Sequence, residues 1–185
     1  MTTRSSQPVA LTIAGSDSGG GAGVQVDLKT FAAFRVHGTS AITCLTAQNL
    51  RAVVGIHPAP PAFLRQQLEA LFAELPPAAV KTGMLFSRAN IRVAIDWFRA
   101  PGRPPLVVDP VMVASSGARL LRPAAIQALI EGLLPLARLV TPNLDEAQIL
   151  VDRPLRSIED LRAAAREIHQ AYGCAALVKG GHLRQ

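Results

Sequence analysis

The sequence predicts an α/β protein with a mostly parallel central sheet and helices on both faces. Three observations carry that prediction. Short β-branched or near-continuous apolar runs alternate with longer amphipathic stretches. Runs such as Val9 to Ala14 (VALTIA) lack polar alternation, as strands covered on both faces of a parallel sheet do. Polar residues gather at the carboxyl ends of these runs, where open α/β sheets bind their ligands.

Each element has its own signal. The first strand, Val9 to Ala14, ends at Gly15, and after a glycine-rich loop Ala22 to Phe34 sets apolar residues at helical spacing. Thr39 to Ala47 is β-branched and reads as the second strand. Pro58 to Pro61 punctuates the chain before a helix over Ala62 to Leu75, with Phe63, Leu64, Leu68, Leu71 and Phe72 forming its apolar stripe. Ala79 to Thr82 is a short strand closed by Gly83. Ser87 is an N-cap for a helix through Phe98, on which Ile91, Ile95 and Phe98 share one face. Leu106 to Asp109 is a strand stopped by Pro110, Pro123 to Leu134 a helix, Leu139 to Thr141 a strand, and Asn143 to Leu150 a short helix. Ser157 with Asp160 three residues on starts a helix that runs to Tyr172, and Ala175 to Lys179 is the last strand.

Composition narrows the function. Hydrophobic residues make up 49% and charged residues 17% of the 185, enough apolar material for one core. The net charge of +6 comes mostly from arginines scattered singly along the chain, and aromatics are only 4%, which speaks against a base-stacking or phosphate-tracking nucleic-acid surface. Cys44 and Cys174 form no CxxC, so neither a zinc knuckle nor a disulfide framework is expected. The N-terminal apolar run is too short for a signal peptide or a membrane span, and the expectation is a soluble, cytoplasmic protein.

The chemistry-bearing segments lie at strand ends. GSDSGGGAG (Gly15 to Gly23) joins a strand to a helix and offers close backbone approach with unpaired N–H groups suited to an anion. It matches neither the P-loop nor the GxGxxG dinucleotide pattern. Asp27, on the following helix, reads either as a solvent-facing acid or as a site residue. Gln48 offers a donor and an acceptor side by side, which suits the edge of an aminopyrimidine, and equally reads as a strand-end cap. Met84, Val111 and Met112 fit an apolar ring pocket or plain core. Asp109, held before Pro110, suits a hydrated Mg²⁺. Asn143 and Glu146 place oxygens on one helical face, and Lys179 before two glycines suits a phosphate. His182 has no partner at metal-ligand spacing and reads as a loop histidine.

The ordered set AGSDSGGGAGVQVDLKTF, TAQN, KTGML, VVDPVM, TPNLDEA and VKGGH resembles the hydroxymethylpyrimidine/phosphomethylpyrimidine kinases of thiamine biosynthesis, within the ribokinase-like superfamily. The likeness runs from Val9 to His182. It implies one ribokinase-like domain over residues 1–185, corresponding to the N-terminal two-thirds of the family fold, with 1–8 as a flexible terminus. It further implies a pyrimidine site at Gly15, Asp27, Gln48, Met84 and Val111. Asn143 and Lys179 would lie near the ATP phosphates, and Asp109 and Glu146 near Mg²⁺ and its waters. The implied reaction is transfer of the ATP γ-phosphoryl group to the hydroxymethylpyrimidine and then to its monophosphate, with a homodimer as an assembly the likeness allows. The family's GTGC-type segment, which bears the catalytic Cys or Asp, does not occur in the 185 residues, so no catalytic residue is assigned. The competing expectations are a pyridoxal kinase-like enzyme and a truncated, non-catalytic pyrimidine-binding protein.

Overall fold

The computed structural model describes residues 7–49, 51–113 and 120–181; His182 and most of the terminus expected to be flexible lie outside them. Strands β1 (Val9–Asp17), β2 (His37–Gln48), β3 (Val53–Pro58), β4 (Ala79–Thr82), β5 (Leu106–Val108), β6 (Leu139–Val140) and β7 (Ala175–Ala176) form one sheet in the order β3-β2-β1-β4-β5-β6-β7. Every neighbouring pair is parallel except β2 with β3. Helices α1 (Gly23–Ala33), α2 (Pro61–Glu74), α3 (Arg88–Phe98), α4 (Pro123–Ala128), α5 (Leu144–Val151) and α6 (Ile158–Tyr172) make the connections.

Alternation along β1 assigns the two faces. Leu11 and Ile13 join the main core with Leu64 and Leu68 of α2 and Ile91 of α3, whereas Thr12 between them bonds to Asp27 on α1. Helix α1 therefore covers one face and α2 and α3 the other. The strand order reverses direction between β1 and β4, and a crevice opens there beyond the carboxyl ends. Among the described residues no helix is long and apolar enough to cross a membrane.

Local chemistry explains the helix starts. Ser87 accepts from the Asn90 N–H, and both Asn143–Glu146 and Ser157–Asp160 form reciprocal capping boxes. Three expectations need correction. Strand β3, for which no sequence signal was read, pairs antiparallel with β2 at the sheet edge; all of its residues but Gly55 are exposed, which leaves it no alternating pattern. The helix begun at Pro123 is α-helical only to Ala128 and continues as one π turn, Leu129–Leu133, and one 3-10 turn, Leu134–Leu136. Gly132 lies in that π turn directly against Ile95 of α3, and Pro135 blocks further α-helix. The ladder of β7 stops at Ala176, although the Leu177 and Lys179 N–H groups still bond to Val140 and Pro142 carbonyls.

Candidate functional site

Strand β1 does not stop at Gly15. It passes through a register shift between Ala14 and Ser16 and delivers Asp17 to the start of the glycine-rich loop. There the Asp17 carboxylate, 5% exposed, accepts the Gly19 N–H on Oδ1 at 2.8 Å and the Gly21 and Ala22 N–H groups on Oδ2 at 3.0 and 2.8 Å. Three N–H groups of the loop thereby have an anion supplied by the loop itself, just ahead of the start of α1 at Gly23. Gln25 holds the turn from the other side, its Oε1 accepting from Asp17 N and its Nε2 donating to Ser16 Oγ. The loop is also stapled to the end of β2, since Ser18 Oγ donates to the Gln48 carbonyl and accepts from the Gln48 N–H, both at 2.8 Å. A Cβ on Gly15 would lie 2.8 Å from Met84 Cε and 2.9 Å from Cys44 Sγ, so a larger residue there would have to displace both side chains.

The crevice at the switch point holds a cavity of about 470 Å³, a size ordinary for small-molecule sites. Its walls include Gly15, Gln48, Met84, Val111, Asp109, Asn143, Glu146 and Lys179. Residues from six separate chain segments are thus brought together. Asp27 is not in the wall. It stands behind Lys81, accepting two bonds from the Lys81 ammonium at 2.9 and 3.0 Å and one from Thr12 Oγ1 at 2.6 Å. The reading of Asp27 as a solvent-facing acid is corrected by this half-buried ion pair, 16% exposed on the Asp27 side chain.

The far wall depends on Glu146. Its carboxylate is 1% exposed and accepts the Asn143 N–H on Oε2 and the Met112 N–H on Oε1, each at 2.9 Å. One side chain thereby caps α5 and pins the turn after Pro110. In that turn Val111 adopts φ +42°, a left-handed conformation costly for a β-branched residue and maintained by the surrounding bonds. Burial pushes the Glu146 carboxyl pKa up, and the nearby Asp109 charge adds to the rise; the Asn143 and Met112 donors and the Lys179 charge oppose it. Asp109 Oδ1 accepts from the Lys179 ammonium at 3.1 Å. Asn143 Oδ1 accepts the Glu146 N–H, and its Nδ2 donates to the Val113 carbonyl over 3.4 Å.

Sequence reasoning places Asp17 and Lys81 among the polar residues at the strand ends without giving either a role, and it passes over the wall residues Val53 and Ile56 of β3. Lys81 had a signal: a lysine inside a four-residue strand at the sheet centre must find a partner or a ligand. Asp17 had one too, because an Asp followed by glycines forms local side-chain-to-backbone turns.

Fold and crevice together define a ribokinase-like kinase architecture, with a small-molecule cavity at the carboxyl edge of a doubly wound sheet. The family described as phosphomethylpyrimidine kinase matches residues 17–185, and the chain belongs to that family. A hydroxymethylpyrimidine/phosphomethylpyrimidine kinase of Synechococcus elongatus is 51% identical over 174 residues, which are 94% of this chain and 66% of that relative. The chain thus spans just under two thirds of that protein. The crystal structure of a phosphomethylpyrimidine kinase from Clostridium difficile superposes with a TM-score of 0.90 at 41% identity, over 97% of this chain and 78% of the other. A Staphylococcus aureus pyridoxal kinase in complex with AMP-PCP and pyridoxal gives 0.81 at 37% identity, over 95% and 63%.

Proposed function

We propose that this chain forms the substrate-recognising part of an ATP-dependent kinase acting on 4-amino-5-hydroxymethyl-2-methylpyrimidine and on its monophosphate, in thiamine diphosphate biosynthesis. The observation that carries this reading is the cavity at the switch point, which Gln48 lines together with Gly15, Met84 and Val111. Met84 and Val111 supply apolar lining for a flat ring, and an amide can donate to a ring nitrogen while accepting from an exocyclic amine. Thr46 Oγ1 donates to the Ser16 carbonyl at 2.9 Å and lies 3.2 Å from the Gln48 amide.

The opposite wall suits the nucleotide phosphates. Lys179 brings a cation there, and Asn143 can offer Nδ2, whose bond to Val113 is long. Asp109 and Glu146 both line the cavity; burial is the main cause of the raised Glu146 pKa, and the Asp109 charge adds to it. Two acidic side chains in one wall suit a hydrated Mg²⁺, which is commonly held by one or two carboxylates together with substrate phosphates. When bound, the ion neutralises charge on the phosphoryl oxygens. The chain's own residues do the positioning: Gln48 fixes the ring edge, Met84 and Val111 fix its plane, and Lys179 steers the anion. In phosphoryl transfer, positioning and charge stabilisation are most of the protein's task.

The reading extends to assembly and location. Leu45, Val53, Val54 and Ile56 leave an apolar β2–β3 edge exposed, which supports a homodimer as the covering arrangement. Cys44 and Cys174 are free and buried, which fits the reducing cytoplasm. Small-molecule recognition, with neither nucleic acid nor membrane as partner, is the corresponding proposal for binding. Calorimetric titration with the hydroxymethylpyrimidine tests it: Gln48→Ala leaves ring polar groups unpaired and should cost roughly 1–3 kcal/mol of affinity. Equal affinity in both proteins refutes the assignment. Tighter binding of pyridoxal than of the pyrimidine would transfer the chain to the pyridoxal kinase reading.

A further inference from the structure

We propose that Lys81 is the residue that lets this site accept the phosphorylated pyrimidine as well as the free alcohol. The inference rests on the reading of the cavity as a pyrimidine site and deepens it. The names of the relatives set the problem, because a hydroxymethylpyrimidine/phosphomethylpyrimidine kinase accepts two ligands that differ by a phosphate. One pocket must therefore hold the same arm neutral in one turnover and anionic in the next. The Asp27 carboxylate lies behind the cavity wall, and uncovered it would repel an anion bound there.

A cation separates that carboxylate from the cavity. Lys81 is in the cavity wall, Asp27 is behind it, and the ammonium bonds to both Asp27 oxygens. An ammonium has three N–H groups, so one remains for a ligand. The position of the ammonium is built from three elements. Thr12 and Lys81 are paired across β1 and β4, and Asp27 reaches them from α1. Thr12 Oγ1, fully buried, holds Asp27 Oδ2 at 2.6 Å, which fixes the carboxylate that fixes the lysine. Gly83 keeps the space open: a Cβ there would lie 3.1 Å from Lys81 Nζ and 3.0 Å from Ala14 Cβ. The other ammonium in the wall, Lys179, is joined to Asp109 on the separate β5–β7 side. With Lys81 in place this part of the cavity presents a neutral pair with its positive end foremost. That arrangement tolerates an alcohol and attracts a phosphate.

The measurement is the ratio of dissociation constants for the monophosphate and the free hydroxymethylpyrimidine, by calorimetry on the 185-residue chain. Lys81→Met should raise that ratio about tenfold or more, because a direct charge contact is lost and the Asp27 charge is uncovered. Lys81→Arg keeps the charge and should leave the ratio within about twofold. The double variant Lys81→Met with Asp27→Asn leaves no unpaired charge, and it carries the test if Lys81→Met alone does not fold; its ratio should also rise. An unchanged ratio in a folded Lys81→Met or double variant overturns the inference while leaving the pyrimidine site standing. A wild-type chain that binds neither compound overturns the pyrimidine reading itself, and this inference with it.

Discussion

Replacing Asp17 by Asn tests how the glycine-rich loop is held. The carboxylate accepts three backbone N–H groups, one on Oδ1 and two on Oδ2. An amide of the same shape has one oxygen and one NH₂. Turned its best way, it keeps the Gly21 and Ala22 bonds, loses the Gly19 bond, and sets its own donor against a peptide N–H. All bonds that remain become neutral ones. Bonds to a charged acceptor are worth about 1.5–3 kcal/mol each. Gly19, Gly21 and Ala22 are exposed, so water recovers part of the loss. A net cost of about 2–3 kcal/mol remains. For a domain of this size each kcal/mol lowers Tm by roughly 2–4 °C, so Asp17→Asn should melt roughly 4–12 °C below wild type. Thermal unfolding followed by circular dichroism reads this directly. Pyrimidine affinity should fall as well, because the same loop is stapled through Ser18 to Gln48. A fold-stability change smaller than about 1 kcal/mol would show that the loop is held by other means and would refute this reasoning.

Gly23→Ala should destabilise the start of α1, since Gly23 has φ +59° and its Cβ would strike the Gly15 carbonyl; chemical denaturation should show a loss of about 2 kcal/mol or more. Ser157→Ala removes an N-cap that accepts from Asp160 N at 3.0 Å, and the same assay should read about 1 kcal/mol. Glu146 sets a pH dependence. Its folded pKa lies above the ordinary 4.5, so the folded state binds the proton more tightly than the unfolded one. The resulting stabilisation is complete below 4.5 and is lost as pH rises through the elevated value. Denaturation of wild type and Glu146→Gln across acid to neutral pH should therefore show the wild type losing stability relative to the variant as pH rises. A parallel pair of profiles would show that Glu146 does not titrate abnormally.

The sequence by itself determined the order of elements and most of their limits. Ser87, Asn143 and Ser157 mark helix starts because a capping side chain acts within three residues, a distance sequence pattern can see. The strand at Ala79–Thr82 and the helix ending at Phe98 were legible for the same reason: their signals are local periodicity and a glycine or cap at the boundary. Most wall residues were legible as polar groups at strand ends, since parallel topology sends those ends to one edge. Contacts between distant segments were decided only in the tertiary structure. Thr12, Asp27 and Lys81 meet across 15 and 54 residues of chain, and nothing near Asp27 in sequence distinguishes it from a surface acid. Strand β3 exists because β2 offers it a free edge, and Val53 and Ile56 enter the cavity wall through that pairing. Glu146 shows both levels at once. Its bond to the Asn143 N–H was implicit in the capping spacing, whereas its bond to Met112, 34 residues away, depends on the sheet bringing the turn after β5 beside α5. Local propensity selects conformations one turn at a time, but which side chains share a buried charge is settled by the packing that excludes water from them.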